Sequence, residues 1–329
     1  MKFVIADVAG SFAPIVYADL KGNDKYSIII KDKLFPNPFR NKIAWLNLSL
    51  RANAQFTMPL KKYYYKKVFG KFPEDDICFY LGTSWYDKDL FLFLRKRYPK
   101  CKIVFHFHDT VDFKLKTIPK LDIDVLKQNV DLILTYNKND ADRYSFIYCP
   151  DMYSRIDEEK IIKYPPCDVV FIGAAKDRMT KIIQAFEKFE KAGKKCWFYI
   201  LGAKESEKKH RDKIIYSDNP ISFFEVISRQ LSARAILEIT QGGTQDATLR
   251  FWDAVMYNKL LFTDCTAVQN YSYFNNQFID CFQDPSAINI DLLETDLSLV
   301  NYHYRNDISP IYILDGIEKI LNGEKFVFI

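Results

Sequence analysis

The stretch Ile236-Leu237-Glu238-Ile239-Thr240-Gln241-Gly242-Gly243-Thr244-Gln245-Asp246-Ala247-Thr248-Leu249-Arg250-Phe251-Trp252-Asp253-Ala254 concentrates residue types that can do chemistry. An apolar run breaks at a Gly-Gly pair and resumes at helical spacing, which predicts a strand, a tight turn and a helix N-terminus. The first N–H groups of such a helix lack intrahelical partners and its dipole adds positive charge, so the turn suits an anion such as a diphosphate. Thr244, Thr248 and Arg250 add donors beside it, and Asp253, about two turns on, is spaced to accept hydrogen bonds from a ribose. The same pattern also fits an ordinary strand, turn and helix buried in a core. Trp252 reads as core, and Glu238 points either to a neighbouring helix or toward a cleft.

A second turn of this kind is Gly173-Ala174-Ala175-Lys176-Asp177-Arg178, which follows the apolar run Asp168 to Ile172. Lys176 offers a compact charge and Arg178 a fork that can hold two oxygens, and both suit a diphosphate. In the first half, Phe105-His106-Phe107-His108-Asp109-Thr110 closes another apolar run. Alternation sends His106 and His108 to one side. His106 reads as a satisfied structural group; His108 is the candidate to hydrogen-bond a substrate, with Asp109 as a base or as the group that positions an acceptor hydroxyl. Two histidines and an aspartate are also metal-ligand types, but no third cluster of ligands accompanies them, so no metal is expected. The turn Val8-Ala9-Gly10-Ser11-Phe12-Ala13-Pro14 is a further place where Gly10 would allow close approach of a ligand.

Short apolar runs alternating with helical patterns position these turns. Strands are predicted at Lys2 to Asp7, Tyr26 to Ile30, Ile77 to Leu81, Ile103 to Phe107 and Leu132 to Thr135, with helices at Lys88 to Tyr98 and Asn139 to Ser145. The pattern lapses from Cys149 to Tyr164-Pro165-Pro166 and restarts at Asp168. Asp177 is expected to cap a helix carrying Met179, Ile182, Ile183, Phe186 and Phe189, and Gly202 sits in the exit turn of the strand Cys196 to Leu201. A Ser222/Glu225 capping box opens another helix, and Ser309-Pro310 opens a last one that stops at Gly323. This is an α/β chain: residues 1–150 form one Rossmann-like domain, 151–166 a linker, 167–305 a second Rossmann-like domain, and 306–329 a helix and tail. The carboxyl ends of both sheets are expected to face a central cleft, where ligands of such sheets bind.

Composition narrows the function. The chain of 329 residues is 48% hydrophobic, which fits globular domains with their own cores. It has neither a run of about 18 apolar residues nor the order of a signal peptide at Met1 to Gly10, so a cytoplasmic protein is expected. Seven scattered cysteines without a Cys-x-x-Cys pair read as reduced structural thiols rather than disulfides or a zinc site. Residues 1–150 carry a net charge of +9 and the remainder −4. Much of the excess lies in Lys61, Lys62, Lys66, Lys67 and Lys71, interleaved with Tyr63, Tyr64, Tyr65 and Phe69. This cluster reads as a solvated helix face or as a contact with an anionic membrane at its inner face. No nucleic-acid motif accompanies it, and no nucleic-acid partner is expected.

Asp168 to Arg178, Cys196 to Gly202 and Ile236 to Asp264 together resemble bacterial glycosyltransferases of the GT-B fold, especially cytoplasmic enzymes of lipopolysaccharide or capsular polysaccharide biosynthesis. The resemblance implies a nucleotide-sugar donor in the second domain and a growing glycan or lipid-linked acceptor in the first. It assigns Gly173, Lys176 and Arg178 to the phosphates and Thr244 to Thr248 to the turn over them, with Gly10, Gly202, Gln241, Gly243, Thr248 and Arg250 completing the donor set. Asp253 stands where the family usually has a ribose-binding Glu, and Gln245 where retaining members often carry another. Fixed cations and a helix dipole would stabilise the leaving diphosphate without a metal or other cofactor. An Asp-x-Asp metal motif is not well placed: Asp122-Ile123-Asp124 follows Pro119-Lys120, and Asp87-Lys88-Asp89 begins a helix. A nucleotide-sugar epimerase of the same two-domain build and a non-catalytic two-lobed sugar-binding protein are the alternatives.

Overall fold

The computed structural model describes residues 1–7, 12–73, 76–157, 159, 161–241 and 246–329. Gly10, Gly242, Gly243, Thr244 and Gln245 lie outside the described residues. The chain divides into two compact units, one of Met1–Arg155 with Asp307–Ile329 and one of Ile156–Asn306.

In the first unit, strands β1 (Lys2–Ala6), β2 (Tyr26–Ile28), β3 (Ile77–Gly82), β4 (Lys102–Phe107), β5 (Leu132–Thr135) and β6 (Ile147–Tyr148) form a parallel sheet in the order β2-β1-β3-β4-β5-β6. Every residue of β3 is buried, the mark of a strand covered on both faces, and this is why it reads as an unbroken apolar run. The covering helices are α1 (Ala13–Val16), α2 (Pro38–Asn47), α3 (Leu50–Gln55), α4 (Lys61–Phe69), α5 (Lys88–Arg97), α6 (Val111–Thr117), α7 (Ile123–Asn129) and α8 (Lys138–Tyr144). Leu90, Phe91 and Leu94 of α5 meet Phe79 and Phe105 in one core.

The second unit repeats the plan. Strands β7 (Cys167–Ala174), β8 (Cys196–Leu201), β9 (Ile214–Ser217), β10 (Ala233–Glu238), β11 (Leu260–Thr263) and β12 (Ile279–Cys281) run parallel in the order β12-β11-β10-β7-β8-β9. Helices α9 (Met179–Lys191), α10 (Phe223–Ser232) and α11 (Leu249–Met256) connect them. α9 buries Met179, Ile182, Ile183, Phe186 and Phe189, the stripe its spacing predicts. The last helix, α12 (Pro310–Leu321), is capped by Ser309, whose hydroxyl accepts from Tyr312 N at 3.2 Å. It belongs to the first unit: Lys25 of that unit pairs with Asp315 at 3.2 Å and Glu318 at 2.8 Å. Among the described residues no helix is long and apolar enough to cross a membrane.

Three local expectations change. The N-cap of α9 is Arg178, with no capping side chain, rather than Asp177. α11 starts at Leu249 with Thr248 as its N-cap, so Asp253 sits little more than one turn into it. Lys61 is no part of a solvated cationic face: only 6% of its side chain is exposed, and its ammonium pairs with Asp87 at 2.9 Å and Asp89 at 2.7 Å. The helical period explains this, because Lys61 shares the inward face of α4 with Tyr64, Tyr65 and Val68, while Lys62, Lys66 and Lys67 turn outward.

Candidate functional site

In each sheet the first strand has a neighbour on either side whose connection runs the opposite way, and the carboxyl end of that strand is the usual ligand position in open parallel sheets. In the second unit the point falls between β7 and β10. Ile236 pairs with Val170 there, so β7 runs two residues past the end of β10.

Four side chains converge at these ends. Arg178 donates through Nε to Ala174 O at 3.1 Å and through Nη1 to Ile239 O. Arg250, reaching back from the first turn of α11, donates to Ile172 O. Lys176, held in the left-handed region at φ 43°, donates to Gln241 Oε1 and so ties the turn after β7 to the turn after β10. Gly173 leaves the space for this: a Cβ there would lie 2.9 Å from Arg250 Nη2, 3.0 Å from Arg178 Nη2 and 3.2 Å from Phe171 Cζ. Both guanidinium carbons lie 5.8 Å from the centre of the Phe171 ring.

Two like charges over one glycine oppose each other. Burial first, and then the charge of Arg250, push Arg178 down to about 10, against the pull of Asp177, Asp264 and Glu238. Burial lowers Arg250 as well, opposed by Glu238 and Asp253. Among the described residues neither guanidinium forms an ion pair; their donors go to backbone carbonyls.

Glu238, whose direction the sequence leaves open, points to the start of α11. The wholly buried carboxylate accepts from Thr248 Oγ1 and, at 2.5 Å, from Thr263 Oγ1. Thr248 Oγ1 in turn accepts from Arg250 N at 3.2 Å as the helix cap. Thr248 is therefore committed to Glu238 and to capping, and it positions Arg250. Thr240 reaches Asp264 through its amide at 2.7 Å and its hydroxyl at 2.8 Å, which fixes the strand exit from the other side. Asp253 is 3% exposed. Gly202 takes φ 63° at the end of β8, a conformation open to glycine at little cost.

The first unit holds a second polar cluster at its own switch point, between β1 and β3. His108, following β4, lies with Nε2 2.5 Å from Asp7 Oδ1 and Nδ1 2.6 Å from Asp151 Oδ1. Asp7 Oδ2 accepts from the Tyr17 hydroxyl at 2.7 Å. Burial works against a charge on His108, but the attraction of Asp7 and Asp151 and their hydrogen bonds outweigh it and raise its pKa well above the ordinary value. Both ring nitrogens donate, so His108 is an imidazolium. His106 is the opposite case. Burial and then the neighbouring His108 charge lower its pKa, and its Nε2 lies 3.2 Å from Cys149 O, which can only accept. Its Nδ1 therefore accepts from the Tyr80 hydroxyl, and His106 is a neutral, satisfied structural group.

Asp109, predicted beside His108, pairs instead with Lys114 at 2.5 Å and is half exposed. Asp7 and Asp151 take its place, and sequence reasoning missed both. The signal for Asp7 was its position as the last residue of the first predicted strand. Gly82 adds to it: a Cβ there would meet Asp7 Cα at 3.1 Å, so only glycine admits Asp7 so close to β3. His106, His108 and Asp151 each present one ligand-type atom within 4.8 Å of the others. The ring nitrogens of both histidines and Asp151 Oδ1 are engaged in the hydrogen bonds just described. A groove of about 380 Å³ opens beside Asp7, lined also by Lys31, Trp45, Leu50, Arg51 and Ser84. Burial pushes Lys31 down to about 8, opposed by Asp87 and Asp32.

No protein-family model matches the chain, and no curated protein matches it in sequence. Solved structures do match. A trehalose-6-phosphate synthase aligns over 98% of this chain and 98% of its own at 11% identity, with a TM-score of 0.57. The UDP-forming α,α-trehalose-phosphate synthase of Burkholderia xenovorans, in complex with glucose-6-phosphate, covers 98% of this chain and 100% of its own at 11% identity and a TM-score of 0.56. The N-terminal domain of the Candida albicans trehalose-6-phosphate phosphatase covers 99% and 97% at 10% identity and a TM-score of 0.57. The shared property is the fold: α/β, with two Rossmann-like domains of the GT-B class.

Proposed function

We propose that this chain of GT-B fold is a glycosyltransferase that moves a sugar from a nucleoside-diphosphate donor to an acceptor hydroxyl. The observation that carries the reading is the pair of guanidiniums of Arg178 and Arg250 crowded over Gly173 at the β7–β10 switch point, with Lys176 alongside. A diphosphate relieves their repulsion, and its developing negative charge on departure is met by cations already in position, without a metal. The sugar–phosphate bond breaks, the pair of electrons leaves with the diphosphate, and the acceptor oxygen forms the new bond.

The acceptor belongs to the first unit, in the groove beside Asp7. His108 holds its proton between two carboxylates and so cannot accept another; the acceptor proton goes to Asp7, which His108 and Tyr17 orient. The acceptor class in this reading is a growing cell-surface glycan, such as lipopolysaccharide or capsular polysaccharide, or a lipid-linked sugar. Trp45 on the groove wall supports it, since an aromatic face suits a sugar ring.

The test is a panel of nucleotide sugars incubated with and without glycan acceptors, with chelator present. Nucleoside diphosphate release that requires an acceptor and survives the chelator is the expected result. Turnover of the donor to an epimer without acceptor, or stabilisation by free sugars but not by nucleotides, overturns the reading.

A further inference from the structure

We infer that the outer face of α2–α4 docks on an anionic lipid bilayer. The inference does not rest on sugar transfer, although two of the side chains of this surface, Trp45 and Arg51, also line the groove beside Asp7.

Six large apolar side chains are exposed within 25 residues: Phe39 at 74%, Trp45 at 48%, Leu46 at 49%, Phe56 at 62%, Leu60 at 45% and Tyr63 at 43%. Scattered exposed hydrophobics need no explanation, but a concentration of this kind marks an interaction surface. The elements carrying them are held together. Asn47, at the end of α2, accepts from Leu60 N at 3.0 Å, and Asn53 of α3 donates to Asn47 O at 2.8 Å. Across the outer face, Arg40 of α2 donates to the Tyr63 hydroxyl of α4 at 3.2 Å.

Charge identifies the partner. From Lys33 to Pro73 the chain has nine Lys and Arg and no Asp or Glu. Lys61 is consumed by its internal ion pairs, whereas Arg40, Lys42, Arg51, Lys62, Lys66 and Lys67 are exposed among the apolar side chains. Trp, Tyr, Phe and Leu insert into the boundary between headgroups and acyl chains, and the cations meet anionic headgroups. A nucleic acid would use the cations but leaves Phe39, Leu46 and Leu60 in water, so the bilayer is favoured over it.

The test is flotation of the full chain with vesicles of phosphatidylcholine alone and with phosphatidylglycerol added. Binding is expected only with the anionic lipid, and it should weaken as salt is raised. Replacing Lys62, Lys66 and Lys67 together by Gln should lower the partition coefficient by on the order of a hundredfold, at roughly fivefold for each lysine. Bilayer-embedded quenchers should quench Trp45, the exposed tryptophan, and a Trp45→Phe control should lose that signal. A Phe39→Ser/Leu46→Ser variant that keeps its circular dichroism and melting curve should float poorly. Failure to float, equal flotation on neutral vesicles, unaltered binding by the lysine variant, or binding to RNA in place of vesicles overturns the inference. None of these outcomes depends on whether sugar is transferred.

Discussion

Replacing Arg178 by Met separates a ligand-binding arginine from a structural one. In the unliganded protein its charge is opposed by burial and by Arg250, which push it to about 10. Against the ordinary value that corresponds to about 3 kcal/mol disfavouring the charged form. Solvent screening of a partly exposed side chain reduces this to about 1–2 kcal/mol. The substitution relieves that opposition but removes the bonds to Ala174 O and Ile239 O, each contributing about 0.5–1.5 kcal/mol. The two effects offset, so urea unfolding should change by about 1 kcal/mol or less. Diphosphate binding should behave differently, since a charge-assisted contact of about 1.5–3 kcal/mol disappears. Calorimetric titration should show Kd for a nucleoside diphosphate rising about 10–150-fold, and for the matching nucleoside hardly at all. Equal losses for both ligands, or a fall in stability of about 3 kcal/mol with diphosphate affinity intact, would refute the assignment.

Other expectations follow from the same geometry. Gly173→Ala places a methyl 2.9 Å and 3.0 Å from the two guanidiniums, so diphosphate affinity should drop while the circular dichroism spectrum stays unchanged. Glu238→Gln leaves one of the two threonine hydroxyls without its acceptor and should cost about 1–3 kcal/mol in urea unfolding. Asp7→Asn should abolish most transfer activity, whereas Asp109→Asn, at a half-exposed carboxylate paired with Lys114, should leave steady-state rates close to wild type. The stabilisation by the Asp7–His108–Asp151 attraction is complete below the ordinary histidine value of 6.5, where folded and unfolded chains are both protonated. As pH rises past that value the unfolded chain releases its proton and the folded chain keeps it. The stability advantage of wild type over His108→Gln, followed by thermal melts across pH, should therefore shrink with rising pH; an advantage that grows contradicts the raised pKa.

The sheets were legible because strands buried on both faces must be continuous apolar runs, as Ile77–Gly82 and residues 169–173 of β7 are. Their lateral order was not, since β7 finds β10 across a long separation that local pattern does not encode. The same reason governs the sites. Lys176 and Arg178 announce themselves by following a strand through a small-residue turn. The His108 partners Asp7 and Asp151 lie 101 and 43 residues away, and Asp151 falls in a segment that reads as a linker. Asp109 is adjacent in sequence and yet faces elsewhere, because successive residues leaving a strand point to different sides. The inward turn of Lys61 was available from helical spacing alone; five lysines in a short run drew attention to composition instead of phase.

The first unit is not contiguous in the chain. Asp307–Ile329 returns to it, with Ile308 O accepting from Tyr153 N at 2.9 Å and α12 burying Ile313, Leu314 and Ile317. During synthesis the second unit emerges whole while the first still waits for its final helix on the ribosome. Assembly of the second unit can thus precede completion of the first, and a fragment ending near residue 155 would leave a greasy seam uncovered, inviting aggregation.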